Sequence, residues 1–297
     1  MLLAAHGTFE HVYDFPEFHL PFGIHIPLPN IMGFQVTKYM VLQVLAAALT
    51  YFIFSGLAKR AAGGKTVTGW FWNFFEYLAV RIRDEVVRPV IGDPHHHGNE
   101  DHVHGESTYI SDPHGGDGIV DGHPADKYLP FLWTAFFYIL ICNLLGAFPW
   151  FGSPTANINV TGALAVAAFI ATFFYGAQLH GPVGFWTHMV PAVDAPGVIK
   201  IFLVPMIFFI EAVGLLIKHG VLAVRLFANI MGGHTVLAVI LGFIALSVAG
   251  AQWYLVTPGS IVGQIGVSLL EFLVAFIQAY VFTFLCTIFI AMSLHEH

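Results

Sequence analysis

Charge is what this sequence has little of. Of 297 residues only 10% are Asp, Glu, Lys or Arg, whereas 57% are hydrophobic, and the mean hydropathy is +0.75. A soluble domain carries about 25% charged residues. The composition therefore excludes a soluble globule, a coiled coil and a disordered chain, and points to a polytopic membrane protein. Cysteine is nearly absent too: Cys142 and Cys286 both sit in apolar runs. They provide neither a disulfide framework nor zinc-site spacing, and no motif calls for a cofactor or a resident metal. Lys and Arg number 11 against 18 acids, a formal net charge of −7. That balance excludes the basic surface a nucleic-acid partner needs.

The shortage of positive charge is local. Gly92–Asp126 holds eight of the acids, seven of the 17 His and no Lys or Arg. Without it the chain is close to neutral. The same stretch has seven Gly and three Pro and few apolar residues, so a disordered, acidic, His-rich cytoplasmic loop is expected over 92–126.

The rest divides by hydropathy and punctuation. Residues 1–33, with Pro16, Pro21, Pro27 and Pro29, read as an extramembrane leader; its start lacks the basic n-region and apolar core of a signal peptide. A first transmembrane helix is expected in 34–58, where Tyr39–Ala58 carries no charge. Lys59, Arg60 and Lys65 follow, which argues for a cytoplasmic exit and an outside N-terminus. Over 59–91 a basic turn leads into Trp70–Val90. There Phe71, Phe74, Phe75, Leu78 and Ile82 recur at helical spacing, opposite Arg81, Arg83, Asp84, Glu85 and Arg88. That pattern predicts an amphipathic helix on the membrane surface.

From Tyr128 to Val193 there is no Asp, Glu, Lys or Arg. Pro149, Gly152, Pro154 and Asn157 break the run, so a transmembrane hairpin over 127–180 is expected, with helices near 128–148 and 159–180. A cytoplasmic loop over 181–198 carries Pro182, Pro191 and Pro196. Two helical patterns then fill 199–297, roughly 199–245 and 260–294, with a loop near 250–259. Both exceed what one straight span requires, and excess length is commonly met by tilt. The expected fold is all-α and polytopic: about five membrane-embedded helices, the last two long and strongly tilted, plus one surface helix.

Ionisable residues inside a bilayer are costly and mark function by default. The last two helices carry Glu211, Lys218, Arg225 and Glu271, with Asn229, His234 and Gln278. At 3.6 residues per turn, Glu211 and Arg225 lie within about 40° of each other and about 21 Å apart along the axis. Lys218 falls between them on the same stripe. Asn229 follows one turn after Arg225, whereas His234 points to the opposite side about 13 Å further on. Glu271 and Gln278, seven apart, share a face. Arginine cannot be deprotonated in proteins, so Arg225 cannot relay a proton. It can block a leak and attract a partner's carboxylate. Ala228 and Gly232 give it a smooth face for a neighbouring helix.

The run from Glu211 to Asn229, with Arg225-Leu226-Phe227-Ala228-Asn229 at its end, resembles the signature helix of subunit a of the F-type rotary ATP synthase. Glu271, Gln278 and the closing Leu-His-Glu-His fit as well. The likeness is strong over 128–297 and looser over 1–91, and the insert 92–126 departs from the shorter family loop. The resemblance implies a non-catalytic stator subunit in a bacterial inner membrane, with its C-terminus cytoplasmic. It faces the c-ring and meets b-type peripheral stalk subunits and lipid. Protons enter by one half-channel, ride the ring and leave by the other. Arg225 would separate the half-channels, Glu211 would be the relay acid on the same helix, and His234 and Glu271 would form a linked pair. Some members have Glu at the first of those two positions and His at the second; this chain has the reverse. Gln278 would sit close to the arginine, Asn229 near the ion path, and Lys218 would have a minor role. Where some members carry acids near the external end of the hairpin, this chain has Gly146 and Asn157. A cytoplasmic His-rich loop also suits a divalent-metal transporter. Against that reading, Arg225 and Lys218 would repel a divalent cation from the stripe.

Overall fold

The computed structural model describes residues 17–20, 24–31, 34–61, 68–92, 123–147, 152–181, 184–185, 197–247, 250 and 252–294. Most of the His-rich stretch, most of the 181–198 loop and the C-terminal His-Glu-His lie outside the described residues.

Two short antiparallel hairpins precede the helices, where the sequence reading placed a leader without strands. β1 (Glu17–Leu20) pairs with β2 (Ile24–Pro27), His19 opposite His25. β3 (Asn30–Ile31) pairs with β4 (Phe34–Gln35). Pro27 ends β2 and Pro29 falls between the hairpins, so neither interrupts a ladder.

The remainder is helical. α1 is Lys38–Ala61, α2 Trp70–Ile82, α3 Leu129–Gly146, α4 Ile158–His180, α5 Gly197–Ser247 and α6 Trp253–Leu294. All but α2 are long and apolar enough to cross a membrane. This is an all-α polytopic architecture. α5 has 51 residues and α6 has 42, about 77 and 63 Å at 1.5 Å per residue. Both greatly exceed a hydrocarbon layer of about 30 Å.

α6 starts at Trp253, inside the stretch read from sequence as a loop. Pro258-Gly259 looks like a turn, yet it falls in the second turn of the helix. There the missing proline N–H removes only the bond to the Tyr254 carbonyl. The connection from α5 is correspondingly tight, with Trp253 N–H donating to the Gly250 carbonyl at 3.1 Å.

α3 is the central helix. Leu132, Phe136, Phe137, Ile139, Leu140, Cys142 and Asn143 are all buried, which requires neighbours on every side. α2 docks beneath it through Ala79 and Ile82, and the Trp133 indole donates to the Ala79 carbonyl at 2.9 Å. α2 then passes into a π turn, Arg83–Val87, that lets the consecutive Val86 and Val87 both face the core. Its other side exposes Trp70, Phe71, Phe74 and Tyr77, the apolar surface an interfacial helix offers to lipid. Gly56 of α1 admits α2, since a Cβ there would overlap the Trp72 ring. Arg60 covers that ring at 3.9 Å.

Candidate functional site

The polar residues singled out from sequence lie on the two long helices. α5 carries Glu211, Lys218, Arg225, Asn229 and His234; α6 carries Glu271 and Gln278. The azimuth of α5 follows from its apolar back, where Leu222, Ala223 and Leu226 are buried. Val221, Val224, Ala228 and Gly232 lie on the open side, and Arg225 is half-buried at its flank.

Three of these residues come together. Asn229, His234 and Glu271 line one cavity of about 200 Å³, with Asn143, Gly146 and Gly233 in its wall. Asn229 and His234 are five residues apart, about 140° on the helical wheel, and would not otherwise share a site. Gly232 and Gly233 open the surface between them. A Cβ at Gly233 would overlap the Glu271 carboxylate, so that carboxylate rests on bare backbone.

The others stay apart. Glu211 and Lys218 pair with each other, Oε1 to Nζ at 3.6 Å, both side chains partly exposed. They sit on the N-terminal side of Arg225, and the cavity on the C-terminal side. Among the described residues no carboxylate pairs with Arg225; ion pairs form instead at Arg81–Glu85, Arg83–Asp84, Arg88–Asp84, Arg88–Asp126 and Lys218–Glu211, among others. Gln278 is half-buried, lies outside the cavity wall, and makes no hydrogen bond to Arg225 among the described residues.

Sequence reasoning missed the cavity's third wall. Asn143 is buried in α3 and donates from Nδ2 to the Ala275 carbonyl of α6 at 3.4 Å. Its Oδ1 accepts from the Thr155 hydroxyl at 2.9 Å, and Ser153 and Thr155 share a 2.6 Å hydrogen bond. A hydroxyl–hydroxyl–amide chain thus runs from the 153–155 turn to the cavity. The available signal was a single Asn in a charge-free helix, since a buried amide needs partners. Gly146 belongs to the same construction: a Cβ there would overlap Ser153, which occupies the space a larger side chain would take. Asn157 has a different job, capping α4 by accepting from the Asn159 N–H at 2.9 Å. Gly233 was missed as well. Adjacent glycines inside a helix cost helix propensity, and such a cost has a packing reason.

Among the described residues no three His, Cys, Asp or Glu side chains converge on a point. The surface electrostatics centre on Arg88, whose Nε and Nη2 bond Asp126 at 3.1 and 2.9 Å. Its Nη1 lies 3.6 Å from Asp84. The bonds to Asp126 raise Arg88 above its ordinary value, and the hydrogen bond from Arg83 holds Asp84 below the ordinary carboxylate range. The clamp ties the segment that follows α2 to the turn that precedes α3, from either side of 93–122.

The sequence matches the family described as ATP synthase A chain over residues 116–291. ATP synthase subunit a of Chloroherpeton thalassium is 35% identical over 295 residues, covering 97% of this chain and 76% of that protein. Subunit a of Myxococcus xanthus is 32% identical over 97% of this chain and 88% of its own length. ATP synthase subunit a 2 of Chlorobaculum tepidum is 34% identical over 96% and 71%. A match over more than half the chain, with relatives at about a third identity along nearly all of it, leaves one conclusion: the chain belongs to the ATP synthase A chain family.

Proposed function

We propose that this subunit is the proton-conducting stator of an ATP synthase membrane sector. It forms two half-channels against the c-ring and couples proton flow to rotation and ATP synthesis. The observation that carries this reading is the asymmetry about Arg225. On one side, Asn229, His234, Glu271 and Asn143 surround one cavity fed by the Ser153–Thr155 chain. On the other lies the Glu211–Lys218 pair. Between them stands a cation without a carboxylate partner among the described residues.

The mechanism follows from charge. A ring carboxylate facing lipid must be neutral; opposite Arg225 it can ionise, because an opposite charge favours its charged form. It discharges its proton to the half-channel on one side of Arg225 and is reloaded from the other. Arg225 holds no transferable proton, so it prevents a direct short circuit. His234 and Glu271 suit protons better than sodium, since imidazole exchanges protons near neutrality and is a poor ligand for sodium. The drive is about 2.3 kcal/mol per charge for each 100 mV of membrane potential. The subunit itself performs no covalent chemistry; its partners are the c-ring and b-type stalk subunits.

Lys59 and Arg60 end α1, and Arg81, Arg83 and Arg88 follow on the surface helix. That bias orients the N-terminus outside and the C-terminus in the cytoplasm of a bacterial inner membrane. The cavity with Glu271 then opens to the outside and the Glu211 side to the cytoplasm. The test is ATP-driven proton pumping in inverted vesicles containing the whole complex. Arg225→Ala should abolish pumping while the subunit still assembles; pumping that persists in the assembled mutant refutes the reading.

A further inference from the structure

His219 has no part in the path just described, yet it is the most deliberately seated polar side chain on α5. It is 2% exposed and lies on the buried back of the helix, six residues before Arg225. Its Nδ1 is 2.9 Å from the Leu215 carbonyl of its own helix. A carbonyl only accepts, so Nδ1 carries the hydrogen and Nε2 is left as the outward-facing atom. Nε2 lies 3.4 Å from the Thr172 hydroxyl of α4. That hydroxyl also lies 3.0 Å from the Ala168 carbonyl, so its one proton has two acceptors in reach. The ring is held edge-on to Phe169 of α4 at 5.3 Å and tilted against Phe289 of α6 at 4.7 Å. One side chain therefore touches both helices that support α5.

The opposite side of α5 meets no comparable restraint among the described residues. Cβ atoms built at Gly214, Gly220 and Gly232 would meet nothing within 4 Å. Leu222 and Leu226 pack on the back as well, but the attraction between apolar groups is non-directional. A hydrogen bond between helices has a direction and fixes azimuth. With side chains reaching about 6 Å from the axis, a rotation of about 10° moves a guanidinium by about 1 Å.

We infer that His219 is a positioning residue: through Thr172 of α4 it sets the azimuth of α5, and so the direction in which Arg225 faces the ring. The inference rests on the role proposed for Arg225, but the azimuth can be measured separately. Gln and Asn divide the two hydrogen bonds. His219→Gln can reach Thr172 and keeps the bond between helices; His219→Asn can reach only its own helix. His219→Leu and Thr172→Val remove the bond from either end.

The experiment uses the whole complex, with spin labels at Leu216→Cys and Ile170→Cys, positions 66% and 58% exposed on α5 and α4. The distance distribution between labels should broaden or shift with Leu, Asn and Val, and stay as in the parent with Gln. In unlabelled complexes, protons pumped per ATP should fall in the same three variants and be retained with Gln. The expected loss is roughly ten- to a hundredfold, the scale on which a misplacement of about 1 Å acts. An unchanged label distance in the Leu and Val variants overturns the inference. So does loss of pumping in His219→Gln with pumping retained in Thr172→Val, which would make His219 a proton carrier. Should the Leu variant fail to assemble, Thr172→Val decides, because it removes one hydroxyl and little volume. The label distance does not depend on Arg225, so failure of the half-channel reading and failure of this one are distinguishable.

Discussion

Gly233→Ala isolates the seat of Glu271. The added methyl would overlap Oε1 and stand 2.9 Å from Cγ and Cδ, where ordinary contact begins at 3.4 Å. Overpacking of this kind costs about 1–3 kcal/mol. Replacing a helical glycine by alanine returns about 1 kcal/mol. The net destabilisation is therefore about 0–2 kcal/mol, within the 5–15 kcal/mol by which proteins are typically stable, and the subunit should still assemble. The carboxylate cannot stay where it is. It must withdraw by about 1 Å, and a displacement of that size can cost about 10²-fold in a positioned reaction. The assay is ATP-driven pumping per assembled complex, with Gly242→Ala as control because a Cβ there meets nothing within 4 Å. Pumping at parental rate in an assembled Gly233→Ala complex would show that the contact between Glu271 and the bare backbone has no bearing on proton flow. Equal loss in both variants would assign the effect to α5 itself.

Three further outcomes follow from the buried and surface networks. Asn143→Leu leaves the Thr155 hydroxyl without its acceptor and removes a polar wall from the cavity. It should cost about 1–3 kcal/mol and slow pumping more than Thr155→Val, which loses one member of the chain and leaves the amide on the Ala275 carbonyl; both are read as rate per assembled subunit. Arg88→Ala removes the clamp to Asp126, a half-exposed pair worth about 1 kcal/mol at most, and should raise protease sensitivity where α2 meets α3 without altering pumping. Asp84 is held below its ordinary value, so its contribution is fully present above the unfolded value of about 3.9. It is lost only as pH falls through the lower folded value. Protease resistance at that junction should therefore be flat from neutral pH to about 5 and decline below about 4.

How far the sequence discloses this molecule varies with what each residue had to do. Runs without charge announced the helices, because a membrane span requires an unbroken apolar length. Arg225, Glu211 and Glu271 stood out because an ionised group in hydrocarbon is costly enough to be rare. What remained hidden depended on partners far along the chain. Gly233 matters only because Glu271, thirty-eight residues later, folds back onto it. Asn143 and Thr155 look like ordinary polar residues until the turn between α3 and α4 brings them within 2.9 Å. The start of α6 was misplaced because Pro258-Gly259 has the composition of a turn, and composition does not say on which turn of a helix a proline falls. The β-hairpins were invisible because their strands have two to four residues, too short for any alternation to register.

The isolation of Arg225 has an energetic consequence on the proposed reading. Lys218, one stripe position away, is neutralised within its own helix by Glu211. Arg225 is not, and a cation at the centre of a membrane helix costs from about 3 kcal/mol to more than 10, depending on how far it is hydrated. No carboxylate among the described residues relieves that cost; on the proposed reading the ring does. A carboxylate at about 4 Å in a medium of effective dielectric constant near 20 returns about 4 kcal/mol, enough to cover the lower figure. The attraction is also an obstacle, since each ring carboxylate must leave Arg225 for the next to arrive. A bond made and broken at every step adds nothing over the cycle, but breaking it adds a barrier, which is lowered if the following carboxylate is already approaching as the first departs. On the proposed reading, the open face around Ala228 and Gly232 serves that exchange. Val221 and Val224 border that face on the N-terminal side, but Ala228 and Gly232 leave room on the other, so on the proposed reading a second carboxylate can enter the field of Arg225 from there during the handover. A large residue at Ala228 would separate them and leave the arginine briefly alone, raising the barrier by the very interaction that makes the site selective.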